Sequence, residues 1–94
     1  MKRYRIRVSG RVQGVGFRYA ASTEARRLGL KGWVRNEADG SVLCLIQGEE
    51  QACRSYISWC RKGSGYSWVE KMDLSELPAN GDSGEELTPF RIVY

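Results

Sequence analysis

With 94 residues, of which 41% are hydrophobic, the chain is long enough to bury a simple core and too short for more than one compact domain. We therefore expect residues 1–94 to form a single domain. The formal charge of +4 indicates an anionic partner, either nucleic acid or a small phosphorylated ligand. The absence of histidine excludes Ser-His and Cys-His nucleophilic pairs and most zinc sites, so we expect neither a metal nor a cofactor.

Nothing in the chain looks like a membrane or export segment. No apolar run approaches the roughly 18 residues needed to span a bilayer, and MKRYRIRVSG carries charges where a signal peptide needs apolar residues. The cysteine count of three is odd, and Cys53 and Cys60, if helical, lie about 10 Å apart along the axis, beyond disulfide reach. We expect a cytoplasmic protein with reduced core cysteines and no membrane contact.

The first elements are a strand, a glycine-rich loop and a helix. Residues 3–8 alternate, with arginine at the odd positions and Tyr4, Ile6 and Val8 on the core side of a half-buried strand. The loop lies within GRVQGVGFRYA, residues 10–20. Apolar residues then recur at helical spacing, and Gly29 follows where a left-handed helix C-cap would lie. The apolar positions of this helix are Phe17, Ala21, Ala25 and Leu28.

Two strands, KGWVRNEA and SVLCLIQG, flank Asp39-Gly40, a dipeptide suited to the positive φ angles of a tight hairpin turn. A second helix is predicted from about Glu49 to Lys62, because its apolar residues are three, four and seven positions apart. A weaker strand around 67–74, a polar loop over 76–89 and a terminal strand at 90–94 complete the chain.

This order predicts an α+β protein: a ferredoxin-like βαββαβ sandwich with an additional C-terminal strand, an antiparallel or mixed sheet, and both helices on one face. If a crossover returns the second strand parallel to the first, the loop after strand one and the C-terminal end of strand two lie at the same end of the sheet. We therefore expect the glycine loop and Asn36 to face each other.

The loop has the features of an anion site. Backbone N–H groups before a helix N-terminus form a concave site, and Gly14 and Gly16 let the backbone approach a ligand. Arg18 adds a planar fork of donors that matches two phosphate oxygens. A tight turn with a surface arginine accounts for the same pattern, and both interpretations stay open on these grounds alone.

A family resemblance favours the anion site over the simple turn. GRVQGVGFR resembles the first signature of the acylphosphatase family and GWVRNEADGSVLCLIQG the second, in the expected order and separation. Similar stretches cover nearly the whole chain: TEARRLGLKG, WCRKG, VEK and FRI. Where the family usually carries a Gly-Pro pair after the second helix, this chain has KGSGYSW, which predicts a more flexible connection.

The resemblance implies a single acylphosphatase-like domain, residues 1–94, that hydrolyses the carboxyl-phosphate anhydride of acyl phosphates without metal. It implies that Arg18 binds the phosphate and that Asn36 positions the attacking water. Phosphate or sulfate is expected to bind the same place as a product-like anion, and we expect a monomer. The amides expected to form the phosphate cradle are those of Gln13, Gly14, Val15, Gly16, Phe17 and Arg18.

The missing histidine agrees with this chemistry. An acyl phosphate expels a carboxylate whose conjugate acid has a pKa of about 4 to 5, so the leaving group needs no general acid. Phosphoryl transfer mainly requires positioning and stabilisation of charge on the equatorial oxygens. An oxygen of the substrate phosphate is our hypothesis for the acceptor of the water proton.

Two alternatives belong to other functional classes. An RNA-binding module of this fold needs base-stacking aromatics on the first and third strands, and SVLCLIQG has none, so we do not expect nucleic acid binding. A catalytically silent domain that binds nucleic acid or a protein partner is disfavoured by the presence of both Arg18 and Asn36. We assign Trp33, Trp59 and Trp68 to core and strand packing.

Overall fold

The computed structural model describes residues 1–63, 65–79 and 87–94 of the chain. The described residues confirm the predicted βαββαβ order with a terminal strand. The elements are β1 (Lys2–Arg11), α1 (Phe17–Arg27), β2 (Lys31–Asn36), β3 (Val42–Gly48), α2 (Glu50–Lys62), β4 (Trp68–Leu77) and β5 (Arg91–Ile92).

The strands form one mixed sheet in the order β4-β1-β3-β2-β5. β1 pairs antiparallel with β3 and β4, and β2 pairs antiparallel with β3. β5 runs parallel to β2 at the edge. This is the ferredoxin-like arrangement with an extra edge strand. β1 and β2 run in the same direction, and both finish at the end of the sheet where the glycine loop begins.

Several element ends differ from the prediction. β1 and β4 are longer because they pair with each other from Arg3↔Leu77 to Arg11↔Trp68, with an irregularity after Ser9. Glu76 therefore belongs to β4 rather than to the polar loop, of which residues 80–86 lie outside the described part. The connection after α2 also includes one residue, Ser64, outside the described part, so its predicted flexibility stays a prediction.

The β2–β3 hairpin is where the sequence predicts it, but its turn differs. Glu37 N–H donates to the Ser41 carbonyl and Gly40 N–H to the Glu37 carbonyl, which leaves a three-residue loop at 38–40. Only Gly40 of the Asp39-Gly40 pair has a positive φ, at 93°. Asp39 instead closes the turn with its side chain, because Oδ1 accepts from both the N–H and the hydroxyl of Ser41.

Both helices pack on one face of the sheet, as predicted. Ile6, Val8, Cys44 and Ile46 from the strands join Phe17, Ala21 and Ala25 of α1 and Cys53, Tyr56 and Cys60 of α2 in one buried cluster. All three cysteines are free and buried, which confirms their assignment as reduced core residues. Trp59 contacts the rings of Phe17 and Tyr56. Trp68, however, is 67% exposed, so its assignment to packing is wrong.

The sheet face opposite the helices, called the open face below, carries the arginines of β1 and is partly buried. Arg3 on this face is 4% exposed, and Leu43 and Leu45 of β3 are similarly buried. Cross-strand partners lie on the same face, and Arg7 and Arg5 pair with these leucines. Aliphatic stems of arginines readily cover apolar surface, and a stripe that alternates arginine with leucine can bury the leucines without a helix.

Among the described residues, no helix has the length and apolar content needed to cross a membrane.

Candidate active site

The loop between β1 and α1 has the backbone conformation that its glycines predict. Gly14 and Gly16 have φ of 74° and 80°, in the left-handed region that non-glycine residues rarely adopt. A Cβ atom at either position would have open space around it. The glycines are therefore required by the turn of the backbone rather than by a close neighbour.

Among the described residues, no side chain caps the N-terminus of α1. Gly16, the N-cap residue, offers no side-chain cap, and the first turn of the helix carries no acidic residue. The bond from Ala20 N–H to the Gly16 carbonyl opens the helical ladder, so the N–H groups of residues 17–19 precede it. Free N–H groups and the positive end of the helix dipole favour an anion here.

A cavity of about 210 Å³ lies at this helix end and brings Arg18 and Asn36 together, as the predicted topology requires. Its lining residues are Val12, Gly14, Gly16, Phe17, Arg18, Tyr19, Asn36, Ile92 and Tyr94. Four of the six predicted cradle residues therefore line it. Gln13 and Val15 do not line it: the Gln13 side chain is turned toward the β2–β3 hairpin, and Val15 packs against the core.

Arg18 is half-buried, and its guanidinium carbon lies 4.9 Å from the centre of the Tyr94 ring. Stacking on a ring restricts the guanidinium while its in-plane N–H groups stay available for hydrogen bonds. Within the described part of the chain, no acidic side chain pairs with Arg18. The arginine is therefore held in place and electrostatically free to bind an anion.

Asn36, at the end of β2, has an unsatisfied acceptor. Its Oδ1 atom is buried, and none of the described residues donates a hydrogen bond to it. A buried polar atom without a partner costs about 1–3 kcal/mol, so such an atom in a native protein calls for an explanation. Because Asn36 lines the cavity beside Arg18, a water molecule or substrate group is the natural donor.

Gln13 connects the loop to the β2–β3 hairpin, a role that sequence reasoning missed. Its Nε2 donates to the carbonyl oxygens of Glu37 and Ser41, both at 2.8 Å. Glu37 directly follows Asn36, so one side chain fixes the distance between the glycine loop and the end of β2. The sequence shows a carboxamide with two donors but not that two acceptors 24 and 28 residues away would meet it.

A charged network surrounds the hairpin turn. Arg7 donates to the Ser41 hydroxyl at 2.9 Å and lies 3.6 Å from a Glu37 carboxylate oxygen and 3.8 Å from one of Asp39. Hydrogen bonds from the Ser41 hydroxyl and N–H, with a smaller contribution from Arg7, lower the pKa of Asp39. The hairpin that carries Asn36 is therefore anchored from two sides.

Among the described residues, no three His, Cys, Asp or Glu side chains converge into a group that could hold a metal ion. The polar groups at the cavity include the Arg18 guanidinium and the Asn36 carboxamide.

Comparison with known proteins gives one consistent result. Residues 4–92 match the family model for acylphosphatase. The chain is similar to an acylphosphatase of Thiobacillus denitrificans, with 46% identity over 81% of this chain and 85% of the relative. It is similar to one of Methylococcus capsulatus, with 40% identity over 99% and 97%. The crystal structure of acylphosphatase from Bacillus subtilis superimposes with a TM-score of 0.89 and 44% identity, covering 100% of both chains.

Proposed function

This chain belongs to the acylphosphatase family, and from that premise we propose that the cavity between the glycine loop and the end of β2 is where it hydrolyses small-molecule acyl phosphates. The observation that carries the assignment is the buried Oδ1 of Asn36, which lines the same cavity as Arg18 and accepts no hydrogen bond from any described residue. A surface turn would not need to place such an acceptor in one cavity with an arginine that no described acidic side chain pairs with.

The phosphate end of the substrate binds at the N-terminus of α1. The backbone amides of residues 13–18 supply the cradle for its oxygens, and four of these residues, Gly14, Gly16, Phe17 and Arg18, line the cavity. Arg18 offers two parallel N–H donors to two phosphate oxygens. Inorganic phosphate and sulfate occupy the same place, because each reproduces the part of the substrate that the cradle grips.

Asn36 holds the attacking water. The carboxamide oxygen accepts one hydrogen bond from the water, which satisfies Oδ1 and leaves a lone pair of the water facing phosphorus. The bond from water oxygen to phosphorus forms as the bond from phosphorus to the acyl oxygen breaks. The carboxylate leaves without protonation, and the proton of the water moves to a phosphate oxygen.

We also propose that residues 1–94 act as a single acylphosphatase domain, as a cytoplasmic monomer, and without a metal ion. Acyl phosphates already carry a good leaving group, so the charge stabilisation from the amides and Arg18 replaces what a metal supplies elsewhere.

An assay with benzoyl phosphate in the presence of EDTA tests the proposal. The wild-type protein releases phosphate at an undiminished rate when EDTA is added, and phosphate inhibits competitively. Arg61→Gln, at an exposed helix position away from the cavity, serves as the matched control for Arg18→Gln and keeps full activity. A folded protein that binds phosphate but releases none from benzoyl phosphate would be a catalytically silent domain, and the proposal would fall.

A further inference from the structure

The open face of the sheet contains a second cavity, larger than the one at the loop. Its volume is about 460 Å³, within the range of roughly 300–1,000 Å³ typical of small-molecule sites. Four arginines, one tryptophan and the β3 leucines supply most of its lining. The helices pack on the other face, so this cavity is separate from the one that holds Arg18 and Asn36.

Strand register places four side chains of the cavity in one row across the sheet. Arg5 of β1 pairs with Leu45 of β3, Leu45 with Trp33 of β2, and Trp33 with Arg91 of β5. With strands about 4.8 Å apart, the two arginines start roughly 14 Å from each other. They bracket an apolar strip about as long as a nucleoside.

The charges in this row are unbalanced. Arg5 and Arg91 are both exposed, and no described acidic side chain pairs with either of them. Among the described residues, the acidic side chains of this face include Asp73, opposite Arg7 on β4, and Glu37, which pairs with Arg35 and Arg7. An anion in the middle of the open face therefore meets two cations, neither of which is paired with a described carboxylate.

The strip between the cations suits a flat ring. Leu45 is 4% exposed, so the floor is apolar. The Arg35 guanidinium carbon lies 4.7 Å from the centre of the Trp33 ring, and this pair presents a planar surface beside the floor. Guanidinium planes and aromatic rings are the side chains on which flat heterocycles stack.

We propose that the open-face cavity is a second binding site, for a small planar anion of nucleoside-phosphate size, with its ring on the Leu45 floor beside the Trp33–Arg35 stack and its anionic group on Arg5 or Arg91. Trp33 is the one aromatic residue among the described lining residues, and the Glu37 carboxylate lies at the hairpin end of the face. Both features favour one nucleotide unit over a nucleic acid strand. This site is independent of hydrolysis at the loop.

Titration with adenosine monophosphate, followed by amide and indole NMR shifts, tests the proposal. AMP moves the Trp33 indole N–H and the amides around Leu45, adenosine and inorganic phosphate move them far less, and phosphate shifts residues 13–18. Of Arg5→Ser and Arg91→Ser, the variant that removes the arginine holding the phosphate weakens AMP binding at these resonances about tenfold, as expected for loss of a charge-assisted hydrogen bond. Arg61→Ser, an equal charge change on α2, leaves binding unchanged.

The Arg18→Gln background separates the two sites. AMP binding on the open face persists there, although the loop no longer binds phosphate. An oligonucleotide that binds much more tightly than AMP to the same residues would replace the nucleotide by a strand as the ligand and overturn the proposal. Absence of saturable shifts at millimolar AMP, or wild-type affinity for AMP in both Arg5→Ser and Arg91→Ser, would also overturn it.

Discussion

Arg18 and Asn36 line one cavity, and the proposed mechanism gives them different parts of the reaction. In that mechanism the Arg18 charge binds the ground-state phosphate, and its guanidinium carbon lies 4.9 Å from the centre of the Tyr94 ring. Asn36 carries an acceptor that nothing else in the described chain uses. Substitutions at the two positions should therefore separate binding from catalysis.

Replacing Arg18 by Gln removes the charged fork and keeps a polar side chain. We expect kcat/KM for benzoyl phosphate to fall by about a hundredfold or more, corresponding to roughly 3 kcal/mol of transition-state stabilisation, and phosphate inhibition to disappear. The free energy of unfolding should change little, because the ring contact is with an exposed Tyr94. Near-normal turnover in this variant would show that the loop is a simple turn and not a phosphate-binding site.

Replacing Asn36 by Ala removes the proposed water ligand and keeps the proposed cradle. We expect kcat to fall by a factor on the order of a hundred, while the inhibition constant of phosphate stays within a few-fold. Because no described residue donates a hydrogen bond to the buried Oδ1, its removal should leave the thermal midpoint unchanged or slightly raised. Equal losses of kcat and phosphate affinity would make Asn36 a phosphate ligand instead.

At the scale of elements, the loop and the hairpin behave as one unit because Gln13 joins them. In Gln13→Leu both hydrogen bonds to the Glu37 and Ser41 carbonyls are lost, and we expect unfolding to become easier by about 1–3 kcal/mol. Since the loop then moves relative to Asn36, kcat should fall more than phosphate affinity.

Gln13→Glu provides the sharper control. A carboxylate has the same shape but offers no donor to the two carbonyls, so at neutral pH it should destabilise the protein more than leucine does. Lowering the pH to protonate Glu restores one donor and should recover part of the lost stability relative to Gln13→Leu. If the two variants unfold alike at every pH, the Gln13 hydrogen bonds contribute little.

Elements were easier to predict from the sequence than their ends. The spacing of Phe17, Ala21 and Ala25 predicts α1, and the crossover geometry predicts that the glycine loop meets Asn36. The full length of β4 escaped prediction because its exposed residues alternate weakly and its extent is set by pairing with β1. The Gln13 clamp escaped for a related reason, since its partners are backbone carbonyls that no side-chain pattern encodes.

The whole molecule should lose stability in acid, because hydrogen bonds in the folded state lower the pKa values of three carboxyl groups. The pKa of Glu24 is lowered chiefly by the hydrogen bond from Arg27, that of Glu50 by Arg54, and that of Asp39 by the Ser41 hydroxyl. A folded-state pKa below the unfolded value contributes stability above roughly pH 4, and this contribution is lost as the pH falls through the folded-state pKa.

Urea unfolding followed by circular dichroism between neutral pH and about pH 2.5 measures this effect, because unperturbed Asp and Glu side chains have pKa values of about 4. The urea midpoint of the wild-type protein should decrease below about pH 4, by a modest amount because two of the three carboxylates, Asp39 and Glu50, are exposed. A variant that combines Glu24→Gln, Asp39→Asn and Glu50→Gln should show a shallower fall, because it lacks the groups that titrate. Parallel curves for the two proteins would assign acid sensitivity to other carboxylates.

The buried thiols make this protein its own reporter of transient opening. Cys44 lies on β3, and Cys53 and Cys60 lie on the inner side of α2, where burial raises the pKa of both α2 thiols. A thiol reagent requires an accessible thiolate, so each cysteine can react only when its surroundings open. Pulse labelling of single-cysteine variants would therefore measure how often α2 detaches alone, with Cys53 and Cys60 reacting ahead of Cys44, and how often the sheet opens with it.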